Sequence, residues 1–177
     1  MVSRNTTSPF KGLVFRAHDP RWSFKPTSGE GASLTGGRFN PRGQPTLYLA
    51  LSTDGAILEA MQGFAGKMQP MLLCAYEVNL ERITDLTNHS IREALSITEE
   101  QLACPWLLQD ANQQVPDSWT IAKRLKEQKT QGILVPSYAS GAKASHKNLV
   151  LWEWNAKTVK AIDDFYRLPK NQASWDR

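Results

Sequence analysis

Thr46-Leu47-Tyr48-Leu49-Ala50-Leu51-Ser52-Thr53-Asp54-Gly55-Ala56-Ile57-Leu58-Glu59 joins two patterns in one short stretch. Thr46 to Leu51 is an apolar run of strand length, and Ser52 or Thr53 stands where a helix N-cap belongs, its oxygen placed to accept an unpaired N–H of the first turn. The helix is predicted to run to about Ala65, where Gly66 ends it. Upstream, Gly12 to Ala17 reads as a short strand. Pro20, Pro26 and the glycines 29, 31, 36, 37 and 43 then fill a long irregular segment reaching Pro45, and ordered loops of that length usually carry function. Downstream, Met71 to Val78 and Ile83 to Leu86 read as two strands, Ile91 to Leu102 as a polar helix, and Thr98 to Gln101 as a helix start. Ser118 is predicted to cap a helix through about Gln128. Ile133 to Val135 is a short buried strand stopped by Pro136, and Asn148–Trp154 with Thr158–Ile162 makes a terminal hairpin. Strands at both ends with helices between them predict an α+β fold without internal repeats.

The 177 residues, 41% hydrophobic and 21% charged, suit a single domain, 1–177, with a core over about 13–165 and a loosely packed tail over 166–177. Folding at this length buries roughly 70% of the unfolded surface, so no staple is needed. Cys74 and Cys104 are the two cysteines and stand at no zinc-ligand spacing, which fits a reducing cytoplasm. No apolar run is long enough to span a membrane, and the polar N-terminus lacks an export signal's apolar region. The net charge of +4 suits a small anionic ligand, and without a basic arm direct nucleic-acid binding is not expected.

The glycines resemble a phosphate cradle but match neither the dinucleotide fingerprint nor the P-loop. Arg38, between a glycine pair and Phe39-Asn40-Pro41, is presented from a stiffened turn, where its planar fork suits two phosphate oxygens. Arg16 lies inside an apolar strand and calls for an anionic partner. Glu59 falls opposite the stripe of Ile57, Met61 and Phe64, so periodicity turns it to solvent, whereas a cleft would make it a stabiliser of developing positive charge. Tyr48 is a core residue or a stacking platform. Ser137 follows a strand end without a nucleophile elbow, so it is a poor hydrolase nucleophile. His18, His89 and His146 read as satisfied surface histidines, and Trp106 and Trp119 as core. Trp152 and Trp154 alternate as a half-buried strand would.

Taken in order, Phe15-Arg16-Ala17, Gly36-Gly37-Arg38-Phe39-Asn40-Pro41-Arg42-Gly43, Leu47-Tyr48-Leu49-Ala50, Leu58-Glu59, Val135-Pro136-Ser137 and Asn148-Leu149-Val150-Leu151 resemble the RES-domain family, named for Arg, Glu and Ser. The resemblance implies a core like that of ADP-ribosyltransferase toxins, with mixed and antiparallel strands in two small sheets flanked by helices. It implies an enzyme that degrades NAD+, with phosphate or water accepting the ADP-ribosyl group, no metal and no cofactor. It also implies a homodimeric toxin restrained by a cognate Xre-like antitoxin. Position by position, Arg38, Glu59 and Ser137 match the catalytic residues, and Arg16, Tyr48, Asn40 and Asn148 the substrate-binding ones. Transfer to a macromolecule and a non-enzymatic nucleic-acid-binding module are the alternatives.

Overall fold

The apolar run around Tyr48 forms strand β2 (Leu47–Ala50), and Ser52 caps the next helix, α2 (Thr53–Ala60), its hydroxyl accepting from the Gly55 amide at 3.1 Å. The computed structural model describes residues 6–62 and 68–174, so the forecast helix end at Ala65 and Gly66, and Phe64 of the apolar stripe, lie outside the described residues. Strand β1 (Ser8–His18) is longer than the sequence pattern suggested, because nearly its whole length pairs antiparallel with β3 (Leu72–Asp85). That partner is one 14-residue strand where two were expected. Alternation of exposed Glu77, Asn79 and Glu81 with buried Tyr76, Val78 and Leu80 carries it across the polar stretch.

Three short strands complete the sheet: β4 (Gly132–Pro136), β5 (Lys147–Leu151) and β6 (Val159–Ala161). The order is β1-β2-β5-β4-β3-β6, and β1 also pairs with β3. Two small sheets were expected, but one mixed sheet of six strands is formed among the described residues. The cause is β1, which meets β2 at Phe15 opposite Ala50 while its length lies along β3, so five strands close on themselves in a ring. Tyr76 of β3 pairs with both Val14 and Ala161, which places β6 on the edge away from β1. Among the described strands the β3–β4 pair alone is parallel. The terminal hairpin does not form: β5 spends its two edges on β2 and β4, leaving β6 to pair with β3.

Helix α1 (Glu30–Thr35) condenses inside the glycine-rich segment. The single helix expected over 91–102 is broken at Ser96, which takes a φ of 53°, into α3 (His89–Ala94) and α4 (Glu99–Leu102), the latter opened by a Thr98–Gln101 capping box. Helix α5 (Trp106–Ala111) had no sequence signal. Helix α6 (Asp117–Glu127) starts one residue before Ser118, which is fully buried inside it rather than capping it. Two apolar clusters follow the strand alternation. Leu47, Leu49, Leu149 and Leu151 join Val14, Tyr76 and Val78 on one face, and Ile133, Val135 and Val150 meet Ile121 and Leu125 of α6 on the other. No helix among the described residues is long and apolar enough to cross a membrane.

Candidate functional site

The face of β2 and β5 that carries Tyr48, Asn148 and Val150 is the floor of a cleft of about 530 Å³, walled by α2 on one side and by the 36–43 loop on the other. Arg16, Arg38, Tyr48, Glu59 and Asn148, far apart in the chain, all line it.

Glu59 faces this cleft rather than open solvent. Its Oε1 accepts from Ser137 Oγ at 2.5 Å and from Asn148 Nδ2 at 2.6 Å, and its Oε2 accepts from Gln62 Nε2 at 2.7 Å. Three donors on one carboxylate fix its direction. Asn148 Oδ1 is buried without a partner among the described residues. Ser137 does not line the cleft; its hydroxyl donates to Glu59 and accepts from the Ala139 amide at 3.2 Å, so it holds the carboxylate from behind.

On the opposite wall the loop is bound through its backbone. Trp119 Nε1 donates to Gly37 O at 2.8 Å, Ser118 Oγ to Arg38 O at 2.5 Å, and Trp152 Nε1 to Phe39 O at 3.1 Å. Gly37 and Asn40 bridge one another, and a Cβ on Gly37 would stand 2.6 Å from the Tyr48 hydroxyl, so only glycine fits there. That hydroxyl donates to Asn40 Oδ1 at 2.7 Å and accepts from the Phe39 amide at 3.0 Å. Burial raises the Tyr48 pKa strongly, so the phenol stays protonated. Asn40 is fully buried behind the wall, where its amide donates to the carbonyls of Ala32, Pro41 and Gln44. It braces the loop and does not line the cleft.

Arg38 is anchored by Nη1 to the carbonyls of Cys104 at 2.7 Å and Leu102 at 3.3 Å, and its guanidinium lies 4.5 Å from the centre of the Tyr138 ring. Burial pushes the Tyr138 phenol up to about 12. Arg16 was expected to pair with an anion. Among the described residues no carboxylate meets it; Nη1 donates instead to Ser28 O at 3.0 Å and Pro26 O at 3.3 Å. Desolvation lowers its pKa, and it lines the cleft as a cation without a counter-ion among those residues.

His146 corrects the surface reading of the histidines: it is 6% exposed and paired with Asp54 at 2.9 Å. Trp106 was read as core, yet it lines the cleft. Gln62, Tyr138, Trp119 and Trp152 were not anticipated as site partners. Gln62 was within reach of sequence reasoning, since a residue three positions after Glu59 on a helix shares its face. The others act across 82 to 113 positions or through a loop, and no local pattern encodes such pairings.

The family model described as the RES domain matches residues 13–176 of this chain. A search of curated proteins finds none that matches. Among solved structures, the fold is similar to that of a chain in the crystal structure of the M. tuberculosis MbcT–MbcA toxin–antitoxin complex. The TM-score is 0.63, with 21% identity over 96% of this chain and 90% of that one.

Proposed function

The chain belongs to the RES-domain family, and from that premise we propose that it is an NAD+-degrading enzyme acting as the toxin of a toxin–antitoxin pair. The observation that carries the reading is the cleft itself. One wall holds a carboxylate fixed by three donors, and the cleft also holds two arginines without carboxylate partners among the described residues. A dinucleotide presents the complementary charges, an anionic diphosphate and a pyridinium riboside.

In this reading Arg16 and Arg38 hold the diphosphate, and Tyr48 packs the nicotinamide. Glu59 stabilises the positive charge that develops at the ribose as the bond from its anomeric carbon to the nicotinamide nitrogen breaks. The bonding pair leaves with the nitrogen, so nicotinamide departs neutral and no general acid is needed. An oxygen of phosphate or water forms the new bond to the anomeric carbon, giving ADP-ribose 1″-phosphate, or ADP-ribose and a proton. Asn40 and Ser137 serve by bracing Tyr48 and Glu59. The reading includes kinship with the ADP-ribosyltransferase toxins, a cytoplasmic site of action, a homodimer and an Xre-like antitoxin. That the similar MbcT–MbcA structure is a toxin–antitoxin complex is in keeping with such a partner.

The test is nicotinamide release from NAD+ by the purified protein, with and without inorganic phosphate, products separated by chromatography. Turnover that Arg38→Ala and Glu59→Gln each reduce at least about a hundredfold is the expected result, and the second product names the acceptor. No turnover by the folded, partner-free protein would sink the reading.

A further inference from the structure

His146 does not line the cleft, yet it is buried and every polar atom it carries is engaged. Its Nδ1 lies 3.3 Å from the Lys143 amide, which can only donate, so Nδ1 accepts and the ring proton sits on Nε2. Nε2–H therefore donates to Asp54 Oδ2 at 2.9 Å. Its backbone nitrogen donates to Lys143 O, and its carbonyl accepts from the Ser137 amide, both at 2.9 Å. Hydrogen bonds from Ser52 and His146 hold the Asp54 carboxyl well below the usual carboxylate range, so Asp54 remains an acceptor in ordinary conditions.

These contacts connect two pieces of the site. Asp54 lies in the first turn of α2, the helix that carries Glu59. His146 closes the 137–146 loop, which begins with Ser137 on the Glu59 carboxylate and Tyr138 beside Arg38. Two residues beyond His146, Asn148 donates to the same carboxylate.

We infer that the His146–Asp54 pair is a latch that seats α2 against the 137–146 loop and so sets Glu59 on Ser137 and Asn148. His146 and Asp54 are thus positioning residues for the proposed reaction; the inference rests on that reading for its kinetic consequence. The latch couples both ends of the loop, because the Ser137 amide is itself tied to the His146 carbonyl. A displaced α2 leaves the diphosphate contacts intact and misplaces the carboxylate, and a shift of that kind costs kcat rather than substrate binding.

The experiment compares Asp54→Ala, Asp54→Asn and wild type by the NMR resonance of the Asn148 side-chain amide, which reports its bond to Glu59 without substrate, and by NAD+ turnover. The Asp54 side chain is 62% exposed, so its truncation leaves the fold in place. Asp54→Ala is expected to move the Asn148 amide towards a free-amide position and to lower kcat by about ten- to a hundredfold, with KM changed less than about twofold. Asp54→Asn, whose Oδ1 still accepts from Nε2–H, keeps most of both. His146→Asn gives the same comparison from the other side, retaining an acceptor for Lys143 while losing reach to Asp54. An Asn148 amide unmoved in Asp54→Ala and His146→Asn overturns the latch, as do equal effects of Asp54→Ala and Asp54→Asn, which would assign them to first-turn charge. A wild-type protein inert on NAD+ whose Asn148 amide still moves in Asp54→Ala keeps the latch and removes the NAD+ reading.

Discussion

The loop that presents Arg38 is held by its backbone, whereas the helix that presents Glu59 is held by its side chains. Three successive carbonyls, of Gly37, Arg38 and Phe39, accept from Trp119, Ser118 and Trp152, so the path of that wall does not depend on the Arg38 side chain. Among the described residues no side chain bonds the backbone carbonyls of the Glu59 wall in this way. Ser137, Asn148 and Gln62 grip the carboxylate itself, and His146 grips Asp54 in the same helix. The cationic wall can change at Arg38 and keep these three backbone bonds, whereas the anionic wall loses a bond to its carboxylate when Ser137, Asn148 or Gln62 changes.

This contrast is broken most severely at Gly37. An alanine there would press on the Tyr48 hydroxyl at 2.6 Å and on Asn40 Oδ1 at 2.8 Å. Gly37→Ala is expected to cost about 3 kcal/mol, the upper end of overpacking, read as the shift in a urea unfolding curve. An unchanged midpoint would show that the backbone can give way. Ser137→Ala attacks the other wall. A hydrogen bond to a charged group is worth about 1.5–3 kcal/mol, so kcat should fall by about one to two powers of ten, with a loss of stability no larger than that bond. A large stability loss with kcat preserved would reverse the assignment. Trp119→Phe keeps the packing but removes the donor to Gly37 O, at a cost of about 1 kcal/mol. It should raise KM more than it lowers kcat, since the loop bearing Arg38 loosens, and steady-state kinetics on NAD+ separate the two.

The smallest effect is that of pH on Asp54. Its folded-state pKa is depressed, so its contribution to stability is complete above the unfolded value and is lost as pH falls through the folded one. The stability difference between wild type and Asp54→Asn should therefore be flat above about pH 5 and shrink below about pH 4. Urea unfolding at a series of pH values measures it, and a difference that grows on acidification contradicts the sign.

The two walls also differ in how far the sequence revealed them. The turn from β2 into α2 was legible because an apolar run, a serine cap and the helical residues after it agree locally. The glycine pair before Arg38 marked a constrained loop for the same reason. Glu59 was turned to solvent by helical periodicity, because the groups that draw it into a cleft, Ser137 and Asn148, are 78 and 89 positions away. The continuous β3 was divided because Asn79 and Glu81 look like an interruption, although they are only its exposed face. The terminal hairpin failed for a topological reason. Neighbouring strands usually pair, but β5 was already occupied on both edges.

The spacing of these partners along the chain orders events during synthesis. Glu59 leaves the ribosome 89 residues before Asn148, roughly 5–20 seconds at ordinary elongation rates. Throughout that interval β2 lacks β5, its partner across the cleft floor, and the carboxylate lacks the Asn148 donor, and for all but the last 11 residues the Ser137 donor too. The full grip on the Glu59 carboxylate therefore forms only once Asn148 has been translated and β5 has joined β2.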